Sequence, residues 1–399
     1  MSQQPDLILI VGNHHRGDFL QCVGNALIKT PHLDGLAAAG ARFDRAVTVF
    51  PDAGPAGAAL LSGTYPDEGA AGIPPFNDSP LGKALVAVGY ALEQVVPDGG
   101  LAQTTQAAVE ILEKPTPAPR AVLIQMPSIW DFDDIHVDHL KPYRGNGVPL
   151  ASYFAAITAY DAAVGQMIAA LDNSGRRDQT VLAYTSLSGE TFRYRDFVNH
   201  ANSCHDESVR VPLLISAPGR IEAGRICDAL VGLHDLAPTL ARFAGAAIPA
   251  IQGRDLTPLL QSEVDDAQWR DRIYLHNIYR RHIDVTFKDG LAPFAVFPDW
   301  AQRAIWDGRH KLILSADGGE CRLYDLRIDP EEEFNLFNLP SPSPQGLVDQ
   351  FASRRDRVVA MAAQLKESAH DLGDTLGQHL ADLVIADATY GTQPQGELI

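Results

Sequence analysis

Cysteine is scarce in this chain and never clustered: Cys22, Cys204, Cys227 and Cys321 stand far apart, with no CxxC pair. This spacing excludes a zinc-ribbon or disulfide framework and reads as free thiols in a reducing compartment, which makes the cytoplasm the expected location. Long apolar runs are missing too. The opening MSQQPDLILIVG has no basic n-region and too short an apolar run for a signal segment, and no stretch reads as the ~20 apolar residues of a membrane span. Positive charge is in deficit: 32 Lys and Arg against 50 Asp and Glu leave a formal net charge of −18. Phosphates would be repelled over most of such a surface, so neither nucleic acid nor an anionic membrane is expected as a partner.

What is present is an ordinary globular composition, 46% hydrophobic and 21% charged over 399 residues, enough for a large layered core. The runs DLILIV (6–11), AVLIQM (121–126), TVLAYTS (180–186) and VPLLISA (211–217) carry the signature of strands buried on both faces. Helical spacing separates them. PHLDGLAAAGARF follows the first strand, and ASYFAAITAYDAAVGQMIAALDNSG (151–175) sets Phe154, Ile157, Val164, Ile168 and Leu171 on one face. HDLAPTLARFAG (234–245) is a further helix closed by a glycine. The alternation predicts a mostly parallel sheet covered by helices. Past about residue 265 the pattern changes to antiparallel strands with turns at DGR and DGGE, then a break at SPSPQG and a closing amphipathic helix, LVDQFASRRDRVVAMAAQLKESAHDLG. Two parts are therefore expected, residues 1–265 and 266–399, with a frayed tail over roughly the last 15 residues.

The block PDLILIVGNHHRGDFLQCVGN…IKTPHLDGLAAAGARFDRAV resembles the N-terminal signature of the formylglycine-dependent sulfatases, within the alkaline phosphatase superfamily. LLSGTYP, YDAAVGQMIAALDNSG, TVLAYTSLSGE, ESVRVPLLISAPG, DLAPTL, GRDLTPLL and GRHKLI…LYDLRIDPEEEFNL continue the resemblance in family order from Pro5 to about Leu336. It implies an α/β fold: a large mixed, mostly parallel sheet flanked by helices, with a smaller C-terminal antiparallel sheet plus helix.

The resemblance also implies a chemistry, and here the residues depart from it. Family members end the first strand with two aspartates that bind calcium or a similar ion; Asn13 and His14 stand at those positions. The family nucleophile is a Cys or Ser oxidised to formylglycine in a C/S-x-P-x-R context. In AVTVFPDAGPAGAALLSGTYP, Ala53 takes its place, Gly57 takes the arginine's, and only Pro55 remains. The second metal strand gives Leu187 and Ser188 where the family has Asp and then His or Asn, followed by Gly189 and Glu190. The sulfate-contacting lysine aligns near Ala201, and the histidine of the preceding segment aligns roughly with Ile129. A hard divalent cation takes six or more oxygens, several from carboxylates, and these positions do not supply them. Loss of the nucleophile together with the charge that stabilises the transition state removes the family reaction.

Two functional expectations follow. The first is a pseudosulfatase-like pseudoenzyme with a degenerate active site, without metal or other cofactor, that binds, scaffolds or regulates. Asn13, Asp52, Ala53, Gly57, Leu187, Ser188 and Glu190 would line its pocket. The second is a repurposed enzyme using His14, His15, His200 or His205. In that case His14, His200, Cys204 and His205 are the candidate ligands of a transition metal such as zinc or iron, since imidazole and thiolate suit such ions better than calcium. Asp52 reads as a helix cap, DFDDIHVDH (131–139) as a solvated acidic loop, DPEEEF as a structural turn, and Trp130, Trp300 and Trp306 as packing residues. The partner is a small molecule or a protein that the sequence does not name, and a homo-oligomer is left open.

Overall fold

The computed structural model describes residues 4–66, 72–116, 119–130, 137–145, 150–192, 203–279, 300–316, 321–337 and 344–390. The chain divides into two units, Met1–Ala201 with Glu207–Asp271, and Asn202–Asp206 with Arg272–Ile399. The sequence did not anticipate that 202–206 would join the smaller unit.

In the larger unit the strands are β1 (Asp6–Gly12), β2 (Ala41–Phe43), β3 (Ala46–Val47), β4 (Ala91–Val95), β5 (Arg120–Gln125), β6 (Thr180–Ser186), β7 (Leu213–Ser216), β8 (Arg225–Cys227) and β9 (Val231–Gly232). Seven of them form one sheet in the order β4-β5-β1-β6-β7-β2-β8, while β3 and β9 pair separately. β4, β5, β1 and β6 run parallel, and β7 is antiparallel to both its neighbours, β6 and β2. The sheet is thus mixed and mostly parallel, as the resemblance implied. VPLLISA reads like its parallel companions because burial on both faces produces the same apolar run whatever the direction.

Alternation along β1 builds two cores. Leu7, Leu9 and Val11 face one layer, which contains α2 (Ala53–Ser62), α3 (Pro80–Ala87), α8 (Leu236–Ala244) and α9 (Thr257–Leu260). Ile8 and Ile10 face the other, which contains α1 (Pro31–Ala38), α4 (Leu101–Glu113) and α6 (Ala151–Asn173). The shorter α5 (Val137–Leu140) and α7 (Asp206–Val209) complete this part of the chain. Along α6, Phe154, Ile157, Val164 and Leu171 are buried and Ile168 is half-buried. By length and composition α6 could cross a membrane, contrary to the expectation that no stretch would. Its most apolar 18-residue window is 67% buried inside the fold, as befits a core helix.

In the smaller unit, β10 (Ile273–Tyr279), β11 (Trp300–Trp306), β12 (His310–Ser315) and β13 (Cys321–Asp325) form an antiparallel sheet in sequence order. The DGR turn joins β11 to β12, while DGGE lies outside the described residues. Helices α10 (Pro344–Asp371) and α11 (Thr375–Tyr390) pack on each other and against this sheet. The tail expected to fray is therefore helical as far as Tyr390, and 391–399 lie outside the described residues. Within DPEEEF, Asp329 accepts hydrogen bonds from the Glu333 and Phe334 amides, as a turn requires. Glu332 is buried and paired with Lys311 at 3.0 Å, so the acidic run is only partly a solvent face.

Candidate functional site

The C-terminal ends of parallel strands are where open α/β sheets gather ligands, because the chain leaves the sheet there in opposite directions. β1 and β6 end side by side, with Gly12 opposite Ser186. Just beyond them the structure brings together Asn13, His14, Ser188 and Glu190. The Ser188 hydroxyl donates to Asn13 Oδ1 at 3.1 Å and lies 3.5 Å from His14 Nδ1. His14 Nδ1 faces Glu190 Oε2 at 3.4 Å.

Glu190 is fully buried, and the local backbone explains how it comes to be there. The Gly189 and Glu190 amides both donate at 2.7 Å, to the Ser208 and Glu207 carbonyls. A Cβ at position 189 would collide with the Glu207 carbonyl oxygen, so the approach requires glycine. The carboxylate then receives the Trp130 indole N–H at 2.6 Å on Oε2, and the Thr191 and Phe192 amides at 3.0 and 3.4 Å on Oε1. Donors on both oxygens favour the ionised form and offset the cost of burial.

His14 has φ = 65°, a left-handed conformation that is unfavourable for a residue with a Cβ. Tyr153 holds it there: its hydroxyl donates to the His14 carbonyl at 2.6 Å and accepts from the Arg16 amide at 3.0 Å. Phe192, φ = 48°, packs edge-on against Tyr153 and Trp130, with ring centroids 4.7 and 6.3 Å away. Arg16 lies over the Phe19 and Phe192 rings, and Asp18 engages its guanidinium at 2.7 and 2.9 Å. The sequence reading missed Tyr153 and Phe192. Trp130, taken for packing, is half-buried and functions as a hydrogen-bond donor.

Other expected site residues fall elsewhere. His15 is corrected from catalytic candidate to interior residue. It is fully buried, with Nδ1 2.7 Å from the Tyr184 hydroxyl and Nε2 3.0 Å from the Phe19 carbonyl. Burial lowers its pKa to about 4 despite that carbonyl and Asp18. Leu187 is corrected from pocket lining to core: it is 3% exposed and belongs to the layer containing Ala56 and Leu60. Its amide donates to the Gly12 carbonyl at 3.0 Å.

Asp52, Ala53 and Gly57 stand at the start of α2. Asp52 is exposed and caps the helix, accepting from the Gly54 amide at 3.2 Å, as the sequence suggested. Ala53 packs against the α2 layer. Ile73 covers Gly57: a Cβ there would meet Ile73 Cγ1 at 2.5 Å and its Cβ at 3.0 Å. Ile129, at the approximate place of a family histidine, is 1% exposed in the other layer.

Cys204 and His205 belong to the smaller unit. Cys204 is fully buried, its amide donates to Gln302 Oε1 at 2.8 Å, and burial pushes its thiol up to about 12. His205 Nδ1 lies 3.2 Å from Ser203 Oγ, and Nε2 lies 3.5 Å from the Tyr324 hydroxyl. His200, Ala201 and residues 131–136 lie outside the described residues. Among the described residues, no three His, Cys, Asp or Glu side chains gather as a metal site.

The residues present do not fit the calcium and formylglycine that the resemblance implies. At the calcium positions stand a neutral amide oxygen already accepting from Ser188, an imidazole facing a carboxylate, and a leucine sealed in the core. At the nucleophile position stands a methyl group with no attacking atom.

A large mixed, mostly parallel sheet with helices in one unit, and a smaller antiparallel sheet in the other, is the architecture of the sulfatase-like α/β proteins. The family model described as Sulfatase matches residues 102–246, and the one described as N-sulphoglucosamine sulphohydrolase, C-terminal, matches 200–357. Among curated proteins, the chain is 27% identical over 252 residues to an N-acetylglucosamine-6-O-sulfatase of Bacteroides thetaiotaomicron, covering 57% of this chain and 41% of that one. It is 31% identical over 204 residues to an endo-4-O-sulfatase of the same organism, covering 50% and 39%. The matched stretch thus spans about two fifths of those relatives' length. A solved protein from a study of glycosaminoglycan metabolism in Bacteroides thetaiotaomicron superposes with a TM-score of 0.77 at 19% identity, covering 97% of this chain and 99% of the other. The phosphonate monoester hydrolase of Agrobacterium radiobacter superposes at 0.65 with 20% identity, covering 90% and 96%. By two family models and several curated relatives, the chain is similar to the sulfatases of the alkaline phosphatase superfamily.

Proposed function

We propose that this chain is a pseudosulfatase, a sulfatase-fold protein that binds a ligand or partner in its crevice and does not hydrolyse sulfate esters. The observation that carries the reading is the start of α2. Ala53 supplies no nucleophilic heteroatom, and Ile73 occupies the space over Gly57 from which a cationic side chain would reach an anion. Leu187, buried where the family has a carboxylate, supports it from the metal side. Loss of a single charge-stabilising group typically costs about 10²-fold or more in rate. With the nucleophile replaced as well as the metal ligands and cations, no sulfate release by the family reaction is expected, although the separate losses do not simply multiply. Burial raises each of Cys22, Cys204, Cys227 and Cys321 to about 12, which suits structural thiols and a cytoplasmic protein.

The test is incubation of the purified chain with aryl sulfate and aryl phosphate esters in the presence of calcium. No product above the buffer blank is expected, and calcium-dependent release of sulfate would refute the reading. A second reading, a repurposed enzyme, is favoured by one observation, the carboxylate of Glu190 facing His14. Elemental analysis bears on its transition-metal version. Stoichiometric zinc or iron lost on His14→Asn supports it, and a metal-free chain opposes it.

A further inference from the structure

Resting on the reading that the crevice binds rather than cleaves, we infer that Tyr153 and Ser186 are positioning residues that decide which of two adjacent histidines the crevice presents. The peptide group between His14 and His15 is where they act. Its carbonyl accepts from the Tyr153 hydroxyl at 2.6 Å, and its N–H donates to Ser186 Oγ at 3.1 Å. One planar unit is thus held at both polar ends by side chains from different elements. Tyr153 stands in the first turn of α6, and Ser186 is the last residue of β6, opposite Gly12. Each hydroxyl is committed in a fixed sense. Tyr153 donates to the His14 carbonyl and accepts from the Arg16 amide at 3.0 Å; Ser186 donates to the Ser188 carbonyl at 2.8 Å and accepts from the His15 amide. A hydroxyl has one proton to give, so neither can reverse direction without abandoning a partner.

The grip fixes the torsions on either side of that plane, ψ of His14 and φ of His15. With φ = 65°, His14 has a backbone that a residue with a Cβ does not select locally, so the surroundings must impose it. The rings show the consequence. His14 Nδ1 faces Glu190 Oε2 at 3.4 Å with 20% of its side-chain surface open, while His15 is sealed inside, its ring nitrogens on the Tyr184 hydroxyl and the Phe19 carbonyl. The two holding side chains are themselves fixed. Edge-on packing seats the Tyr153 ring against Phe19 and Phe192, with centroids 5.0 and 4.7 Å away. The second bond of Ser186 ties the turn after β1 to the turn after β6, whose Ser188 hydroxyl donates to Asn13. Both hydroxyls are buried, and a buried N–H or C=O left without a partner is costly. Loss of either hydroxyl leaves the plane half-held, and the turn relaxes toward conformations that His14 favours, taking the imidazole away from Glu190. The crevice is therefore set before anything binds in it, which spares a ligand the cost of ordering the turn.

Full-length Tyr153→Phe and Ser186→Ala each remove one oxygen and keep the remaining side chain, and crystal structures of both beside the native chain test the inference. In the native chain His14 is expected at positive φ with Nδ1 facing Glu190. In each variant φ should turn negative and Nδ1 should leave ion-pair distance of Glu190, while β1 and β6 stay paired. Diethyl pyrocarbonate labelling, located by mass spectrometry, reads the same event in solution. His14 should be labelled and His15 protected in the native chain, with His14 labelled several-fold faster in both variants. A hydrogen bond of merely structural value would lower the urea midpoint and leave the plane and the labelling as they are. His14 still at positive φ beside Glu190 in either folded variant, an unchanged labelling rate, or a protected His14 in the native chain would each overturn the proposal. Sulfate release in the ester assay would instead overturn the pseudosulfatase reading and leave these readouts unmoved, so the two failures are distinguishable.

Discussion

Gly57 offers the sharpest test of why the start of α2 has no working side chains. It is buried in the second turn of that helix, and a Cβ built there meets Ile73 Cγ1 at 2.5 Å and both Cβ and Cγ2 at 3.0 Å. Alanine in place of glycine inside a helix normally stabilises by roughly 0.5–1 kcal/mol. Overpacking against a β-branched neighbour costs typically about 1–3 kcal/mol, since Ile73 has few rotamers to move into. The clash wins, and Gly57→Ala is expected to destabilise by about 1–2 kcal/mol. Removing the obstacle reverses the sign. In an Ile73→Ala background the same substitution is expected to be neutral or stabilising, with a coupling of about 1–3 kcal/mol between the two sites. Urea melts of the four proteins, compared by midpoint at constant slope, measure that coupling. Additive effects, with no coupling beyond error, would refute the placement of Ile73 over Gly57 and with it the physical account of the missing arginine.

Three further outcomes follow from buried groups. Leu187→Asp restores a carboxylate at a family metal position but puts it into a sealed apolar layer; it should destabilise by more than about 3 kcal/mol, read as a fall in the urea midpoint that calcium does not rescue. Asp235 accepts from the Gly232 and Arg254 amides and pairs with Arg270 at 2.7 and 2.8 Å. Burial alone would raise its pKa, but Arg270 outweighs burial and lowers it to about 2. The stability this brings is complete above the ordinary value of 3.8 and lost as pH falls through about 2. Asp235→Ala strands Arg270 and should cost about 3–5 kcal/mol at neutral pH, measured by urea melts. His15 and His234 act at a higher pH: burial lowers each from 6.5 to about 4, so between those values the unfolded chain binds protons that the folded chain does not. Stability should rise with pH across this window by up to about 3 kcal/mol per histidine, and a flat profile from pH 4 to 6.5 would show that neither is held neutral in the interior.

Much of the architecture was legible because long buried strands and a long amphipathic helix carry strong periodic signals. DLILIV, AVLIQM, TVLAYTS and VPLLISA all became strands of one sheet, and the 151–175 pattern became α6. The short strands β2, β4 and β8 gave no such signal. Two are only three residues long, and β4 is an edge strand with a largely part-exposed pattern. The direction of β7 was invisible for a different reason, since a strand buried on both faces loses the alternation that marks antiparallel pairing.

At the site, strand-end placement located Asn13, His14, Ser188 and Glu190 correctly as neighbours, because a parallel pair in register ends together. What could not be read was orientation. His14 and His15 are adjacent, yet the left-handed turn at His14 leaves one ring part-exposed beside Glu190 and buries the other against Tyr184 and Phe19. Tyr153 and Phe192 come from segments far along the chain, and no local pattern ties either to residue 14. Ile73 over Gly57 is likewise a tertiary fact, reached only once the chain after α2 folds back onto it.

The proposed reading rests on one claim: among the described residues, the crevice does not supply the carboxylate cage that the resemblance implies for calcium. Calcium calorimetry on the native chain and on Asn13→Ala tests it most directly. Identical titrations are predicted, with any weak uptake by the acidic surface common to both. A one-to-one calcium site present in the native chain and abolished by Asn13→Ala would contradict the account.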